Sequence, residues 1–290
     1  MSGLILFLVL GSAALHPLRE FYIKGDATPE GVTLAVNIWF WVLAGAHVFI
    51  ADMDPWTAFE AWPMMVISGL SLLLFYSCIV ATMRSGDFSI YYPITRSSPL
   101  FVVVFSFFIL DQSYSLIMLG GIGMVLVGAF LLQYRPGSRL LSEPRTLFLA
   151  FFAMCTHGIL TLADAEAMQK VEPAVYMFVM YIFVVPAMAF VLSIRRSVDS
   201  NIYGHLFVGW VKTPVRFAIA GITAYASYYM ILVAFQQGAN VAAVSAVRQV
   251  SIPLSVLLGC LIYKEARMPA RLAWSVLLAL GVVVIVFTKQ

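Results

Sequence analysis

Apolar runs of about 20 residues, separated by short polar connections, recur along this chain from end to end. A helix rises 1.5 Å per residue, so each such run is long enough to cross a hydrocarbon core about 30 Å thick. Ten runs qualify, over roughly 3–22, 32–51, 62–83, 89–110, 114–133, 146–167, 173–194, 214–236, 240–263 and 271–288. The first, GLILFLVLGSAAL, has no basic residue before it and no small-residue cleavage pattern after it, so it reads as a spanning helix rather than a secretory signal. The longest connection, around 195–213, carries Tyr203 and Trp210, which suit a membrane interface better than a soluble domain. The pattern predicts an all-α integral membrane protein of ten transmembrane helices, with no extramembrane domain in which soluble catalysis could occur.

Composition agrees with that pattern. Of 290 residues, 62% are hydrophobic and 11% charged, with mean hydropathy +0.95, more apolar surface than a soluble core of this size can hide. The net charge of +3 says less than where the charges lie. Arg96 and Arg248 fall inside spans, Lys170 and Lys289 lie on one side, and the remaining lysines and arginines lie in or near the odd-numbered connections. The positive-inside rule then puts the odd connections in the cytoplasm and both termini on the other side of a cell inner (plasma) membrane. Cys78, Cys155 and Cys260 sit singly in apolar runs, giving neither a disulfide framework nor metal-ligand spacing. No metal, other cofactor or nucleic-acid partner is expected.

The chain also repeats itself. YSCIVATMRSGDFSIYYPITRSS aligns without a gap on YYMILVAFQQGANVAAVSAVRQV at an offset of 152, pairing Tyr76 with Tyr228, Gly86 with Gly238 and Arg96 with Arg248. LFLVLGSAALHP aligns on LFLAFFAMCTHG at an offset of 141, pairing His16 with His157. Leu and Val coincide often in apolar segments, whereas Arg and His are rare there and their pairing carries the signal. The halves are 1–137 and 138–290. Five helices per half is an odd number, so the second half enters the membrane upside down: two inverted five-helix repeats (5+5), whose matched mid-helix residues converge on the bilayer midplane.

Ten helices, this inverted repeat, and a fourth and ninth helix passing through RSSPLF and RQVSIPLS to the acidic exits ILDQ and IYKE resemble the drug/metabolite transporter (DMT) superfamily in its EamA-like branch. The glycine-bearing fifth and tenth helices, LGGIGMVLVGAFLL and AWSVLLALGVVVIVF, are similar to the closing helix of that family's repeat. The resemblance spans essentially the whole chain and implies a metabolite transporter with a central cavity lined by helices one to four and six to nine. Family members move amino acids, nucleotide sugars, vitamins and other metabolites, so no substrate is named by the resemblance. This chain differs from many members in carrying arginine at both matched sites.

A mid-membrane arginine costs about 2.5–3.5 kcal/mol on insertion scales, so two of them need a reason. One is structural: neutralisation by Glu20, Asp164 or Glu166, or capping of carbonyls freed near Pro99 and Pro253. The functional one is that both guanidinium forks hold an anionic group of a small substrate. Helical spacing puts Tyr92, Arg96, Pro99 and Val103 on one stripe and Val244, Arg248, Ser251 and Ser255 on its counterpart. Tyr76, Tyr228 and Tyr225 add hydroxyls and ring faces, and Asn37 with Trp41 share a face of the second helix. His16 and His157, with Glu20 one turn beyond His16, are candidates for substrate contact and for proton coupling. His47 and His205 receive no role.

The expected function is secondary-active transport of a small anionic or zwitterionic metabolite across the inner membrane by alternating access. The alternative is an exporter of neutral or aromatic amino acids or similar amphiphiles, with the arginines structural. An enzyme is disfavoured, since no GxSxG, HExxH, CxxC or phosphate-loop motif occurs. Small residues in helices five and ten leave a homodimer open.

Overall fold

At lipid depth, backbone N–H and C=O groups can pair only with each other, which makes helices the expected solution. The computed structural model describes residues 1–23, 29–84, 88–109, 111–133, 143–194, 213–254 and 268–288. Regular structure there is helical, with no strand among the described residues. The first five helices are α1 (Gly3–Ile23), α2 (Pro29–Ile50), α3 (Trp62–Arg84), α4 (Phe88–Thr95) and α5 (Ser98–Phe108), with a 3-10 helix over Pro55–Ala61 leading into α3. Then come α6 (Leu116–Gln133), α7 (Pro144–Ala167), α8 (Pro173–Ile194), α9 (Pro214–Gln236), α10 (Val241–Val247) and α11 (Met268–Phe287). Pro29, Pro144, Pro173 and Pro214 each open a helix, where the missing N–H has no intrahelical partner to lose.

Among the described residues, five helices are long and apolar enough to cross a membrane: Glu30–Ile50, Pro55–Thr82, Pro144–Ala167, Pro173–Ser193 and Pro214–Gln236. Shorter apolar helices cover Gly3–His16, Pro93–Phe108, Leu116–Leu132, Val241–Leu254 and Ala273–Phe287. Large apolar side chains such as Phe7, Leu70, Leu74, Phe183 and Phe190 point outward, which in water would be a liability and in lipid is the favourable arrangement. The architecture fits an all-α membrane protein.

The helices pack in long pairs: α1 along α9, α3 along α7, α2 along α8 and α6 along α11. Small residues set the closest approach. A Cβ at Gly281 would lie 2.7 Å from the Gly121 carbonyl oxygen, and one at Gly128 would lie 2.9 Å from the Leu278 backbone nitrogen, so these glycines join α6 to α11 within the chain. Gly120 and Gly123, by contrast, face open space.

Two local signals turn the chain between α9 and α10. Gly238 takes φ +77, and the bonds Ala239 N–H to Ala234 O (3.1 Å) and Gly238 N–H to Phe235 O (2.9 Å) close α9 in a Schellman arrangement that needs a residue tolerant of left-handed backbone. The Asn240 side chain then accepts from the Ala243 N–H at 3.1 Å and caps α10. Gly238 therefore ends a helix; its sequence partner Gly86 lies outside the described residues, as do His205, Ser255 and Cys260.

The expected fourth helix is two helices. It breaks at Arg96–Ser97 between α4 and α5, while the ninth passes from α10 into a 3-10 turn over Arg248–Val250 before resuming at Ser251. Pro99 and Pro253 have no N–H to give to the carbonyls of Thr95 and Gln249, four residues earlier, and proline disfavours helical backbone in the residue before it. Each break therefore falls just before a proline, and each contains an arginine.

Candidate functional site

The breaks in α4–α5 and after α10 meet in space. Arg96 Nη2 donates to Ser251 Oγ at 2.8 Å, and Gln249 Nε2 donates to the Arg96 backbone oxygen at 3.0 Å. Each break thus satisfies a polar group of the other, which is how non-helical backbone survives at membrane depth. Arg96 Nη1 also donates to His16 Nε2 at 3.3 Å. Arginine has only donors, so Nε2 of His16 is an acceptor here and its ring proton resides on Nδ1.

His157, on α7, lies beside the same region. Its Nδ1 is 3.0 Å from Ser98 Oγ and its ring centroid 4.9 Å from that of Phe75. The fields of both Arg96 and Arg248 act on it, which places the second arginine near the first. Arg248 is half-buried at the start of its 3-10 turn and also acts on Asp164.

Asp164 forms a second cluster. It is 2% exposed, and its carboxylate is held by three hydroxyls from three helices: Ser68 of α3 and Tyr176 of α8 donate to Oδ1, the latter at 2.8 Å, and Tyr228 of α9 donates to Oδ2. Phe40 of α2 packs edge-on to Tyr228 and Tyr225 at 5.8 and 6.4 Å and stacks on Tyr181 at 5.2 Å. Tyr225 in turn bonds through its hydroxyl to His47 Nδ1 at 2.9 Å.

Of the residues singled out from sequence, the structure brings Arg96, His16 and His157 into one region within reach of Arg248. Tyr228 is joined to Asp164 and Tyr225 to His47. Tyr76 is half-buried on α3 with its ring 5.4 Å from Phe75. Asn37 is buried and spends its Nδ2 on Thr33 O of its own helix at 2.6 Å, while its Oδ1 accepts no hydrogen bond among the described residues. Trp41 is not gathered with them: it lies 36% exposed along a shallow groove with Val42, Gly45, Phe49 and Phe178. The side chains of Glu20 and Tyr92 lie outside the described residues.

Sequence reasoning took Asp164 only as a partner for an arginine and passed over Ser68, Tyr176, Gln249 and His47. Asp164 carried a signal, an acid within LTLADAEAM of a spanning segment. Ser68 and Tyr176 carried none, because serine and tyrosine are ordinary in such helices.

Neither a protein-family model nor a curated protein matches the chain. Among solved structures 28 chains match. One, a crystal structure of a protein, superimposes with a TM-score of 0.77 over 97% of this chain and 94% of its own, at 16% sequence identity. At that identity the likeness speaks to the fold alone.

Proposed function

We propose that this chain is a secondary-active carrier of a small anionic or zwitterionic metabolite, with Arg96 and Arg248 holding the anionic group near the bilayer midplane. The observation that carries this reading is the meeting of two helix breaks 152 residues apart, each containing an arginine. Discontinuous helices at membrane depth are a recurring device for binding sites in secondary transporters, and arginine's planar donors match carboxylate or phosphate oxygens in pairs. Two partners of Arg96, His16 and Ser251, offer neutral acceptors to its guanidinium.

The packing also supports a chain of ten crossings built as inverted halves 1–137 and 138–290, as in the EamA-like branch of the DMT superfamily. A twofold axis that pairs the first helix of one half with the third of the other must also pair the third with the first. The pairs α1 with α9 and α3 with α7 are of that kind, while α2 with α8 and α6 with α11 join equivalent helices. In this proposal the halves rock against each other in an inner membrane, with both termini on the non-cytoplasmic side.

A thermal-shift screen of the purified protein against metabolite anions and zwitterions tests the reading. Stabilisation by a ligand that disappears in Arg96→Gln and Arg248→Gln supports it. Transport of a neutral or aromatic amphiphile that is unchanged in both variants would instead leave the arginines structural and favour export of such compounds.

A further inference from the structure

We propose that Asp164 binds the proton that drives the carrier, and that Tyr228 passes its occupancy to Arg96 through α9 and α1; this rests on the carrier reading above.

The three hydroxyls around Asp164 are unevenly shared. Among the described residues, Oδ1 accepts from Ser68 and Tyr176, whereas Oδ2 accepts from Tyr228 alone. An ionised carboxylate only accepts, and a protonated one must also donate. A proton arriving from water therefore belongs on Oδ2, the less occupied oxygen, and the new acid O–H faces the phenol oxygen of Tyr228. One O–H bond forms on Oδ2 as one O–H bond of a hydronium ion breaks and water leaves, and the Tyr228 proton stays on its oxygen and turns away from Oδ2. Ser68 and Tyr176 can keep donating to Oδ1. Protonation thus reverses the tie between α7 and α9 while leaving the ties to α3 and α8 in place, and every remaining bond falls from charge-assisted to neutral strength, about a halving.

What α9 does next is set by its neighbours. Ser227, adjacent to Tyr228, has its Oγ 2.9 Å from both the Oγ and the backbone oxygen of Ser12 on α1. One turn beyond Ser12, His16 accepts from Arg96. A shift of α9 relative to α7 is therefore carried by hydrogen-bonded neighbours to the guanidinium proposed to hold substrate. This is the kind of contiguous, two-arrangement path through which sites couple.

The histidines are worse placed. A proton on His16 Nε2 would remove the acceptor that Arg96 uses, and one on His157 would add a third positive charge where two already act. Around Asp164, among the described residues, the titratable and charged groups are Tyr176 of α8, Tyr228 of α9 and Arg248 after α10, with Tyr181 acting on both tyrosines. Of the other helices against α7, α3 supplies the Ser68 hydroxyl, α4 carries the buried Tyr91, and α5 and α10 carry no titratable side chain. On α7 itself, Arg145 lies in the first turn, Cys155 is half-buried, His157 lies beside the arginines and Glu166 is exposed.

The test needs no substrate. Full-length protein in lipid nanodiscs, with its three cysteines replaced, carries spin labels at the exposed positions Lys170→Cys and Gln237→Cys, after α7 and α9. On acidification two changes are expected: a carboxylic-acid C=O band in the infrared difference spectrum, and a shift in the label-to-label distance. Asp164→Asn should lose both. Tyr228→Phe should keep the band and lose the distance shift, and it decides the matter if Asp164→Asn does not fold. A band that survives in Asp164→Asn, no band in the parent protein, or a full distance shift in Tyr228→Phe overturns the proposal. Because protons are the only probe, a chain that shows this response but binds no anion refutes the carrier reading alone, and a chain that binds anions without it refutes the proton site alone.

Discussion

Gln249 donates its side-chain amide to the backbone oxygen of Arg96 at 3.0 Å, across a sequence separation of 153 residues. A side chain from one helix break thereby replaces the helical partner that the other break has lost. The bond ties the two arginine-bearing turns together whatever else occupies the site.

Removing that donor should be costly. Gln249→Leu takes a donor from a part-buried carbonyl, a penalty of about 1–3 kcal/mol where no other donor replaces it. Thermal unfolding in detergent should show a clear loss of stability relative to Gln237→Leu, at an exposed position. Equal stability of the two variants would mean that the carbonyl finds another donor.

The glycines of α6 and α11 should sort by what they face. Gly281→Ala pushes a methyl against the Gly121 carbonyl, and overpacking of this kind costs about 1–3 kcal/mol. Gly120→Ala meets open space and should be neutral or gain up to about 1 kcal/mol from helix propensity. Melting temperatures of the two variants, measured side by side, check the contrast.

Tyr176→Phe deletes a hydroxyl bonded to a buried carboxylate, and hydrogen bonds to charged groups contribute about 1.5–3 kcal/mol. Its stability should fall by that order. Tyr225→Phe gives up a bond to the half-buried His47 ring and should lose only about 0.5–1.5 kcal/mol. A reversal of that order would argue that Asp164 holds no charge in the folded protein.

Arg96→Lys keeps a positive charge and discards the fork that reaches His16 and Ser251 together. For any anion that stabilises the parent protein, affinity should fall at least about tenfold, the effect of losing one charge-assisted hydrogen bond. Titration calorimetry would read it directly, and an unchanged affinity would mean that charge alone recruits the anion.

Helices were the most legible feature of the sequence. The run expected over 173–194 is the helix Pro173–Ile194, and that over 214–236 is Pro214–Gln236, because the length of an apolar run and a proline at its start are local properties. The breaks before Pro99 and Pro253 were legible for the same reason, although the fourth run gave no sign that Arg96 itself would occupy the turn. The pairing of His16 and His157 with the arginines was partly legible, since all four are rare residues in apolar segments. The Asp164 cluster was not, because it joins residues of four helices that share no motif.

By itself, then, the sequence determined an all-helical chain suited to a bilayer, the prolines that open or interrupt its helices, and the presence of two arginines within apolar runs. Only the tertiary structure decided that Gln249 would serve Arg96, that Ser68, Tyr176 and Tyr228 would converge on Asp164, that Trp41 would face outward, and that Gly121 and Gly281 would meet. The reason is geometric. Periodicity states which residues share a face of their own helix, but the rotation of that helix against its neighbours follows from the packing of all of them at once.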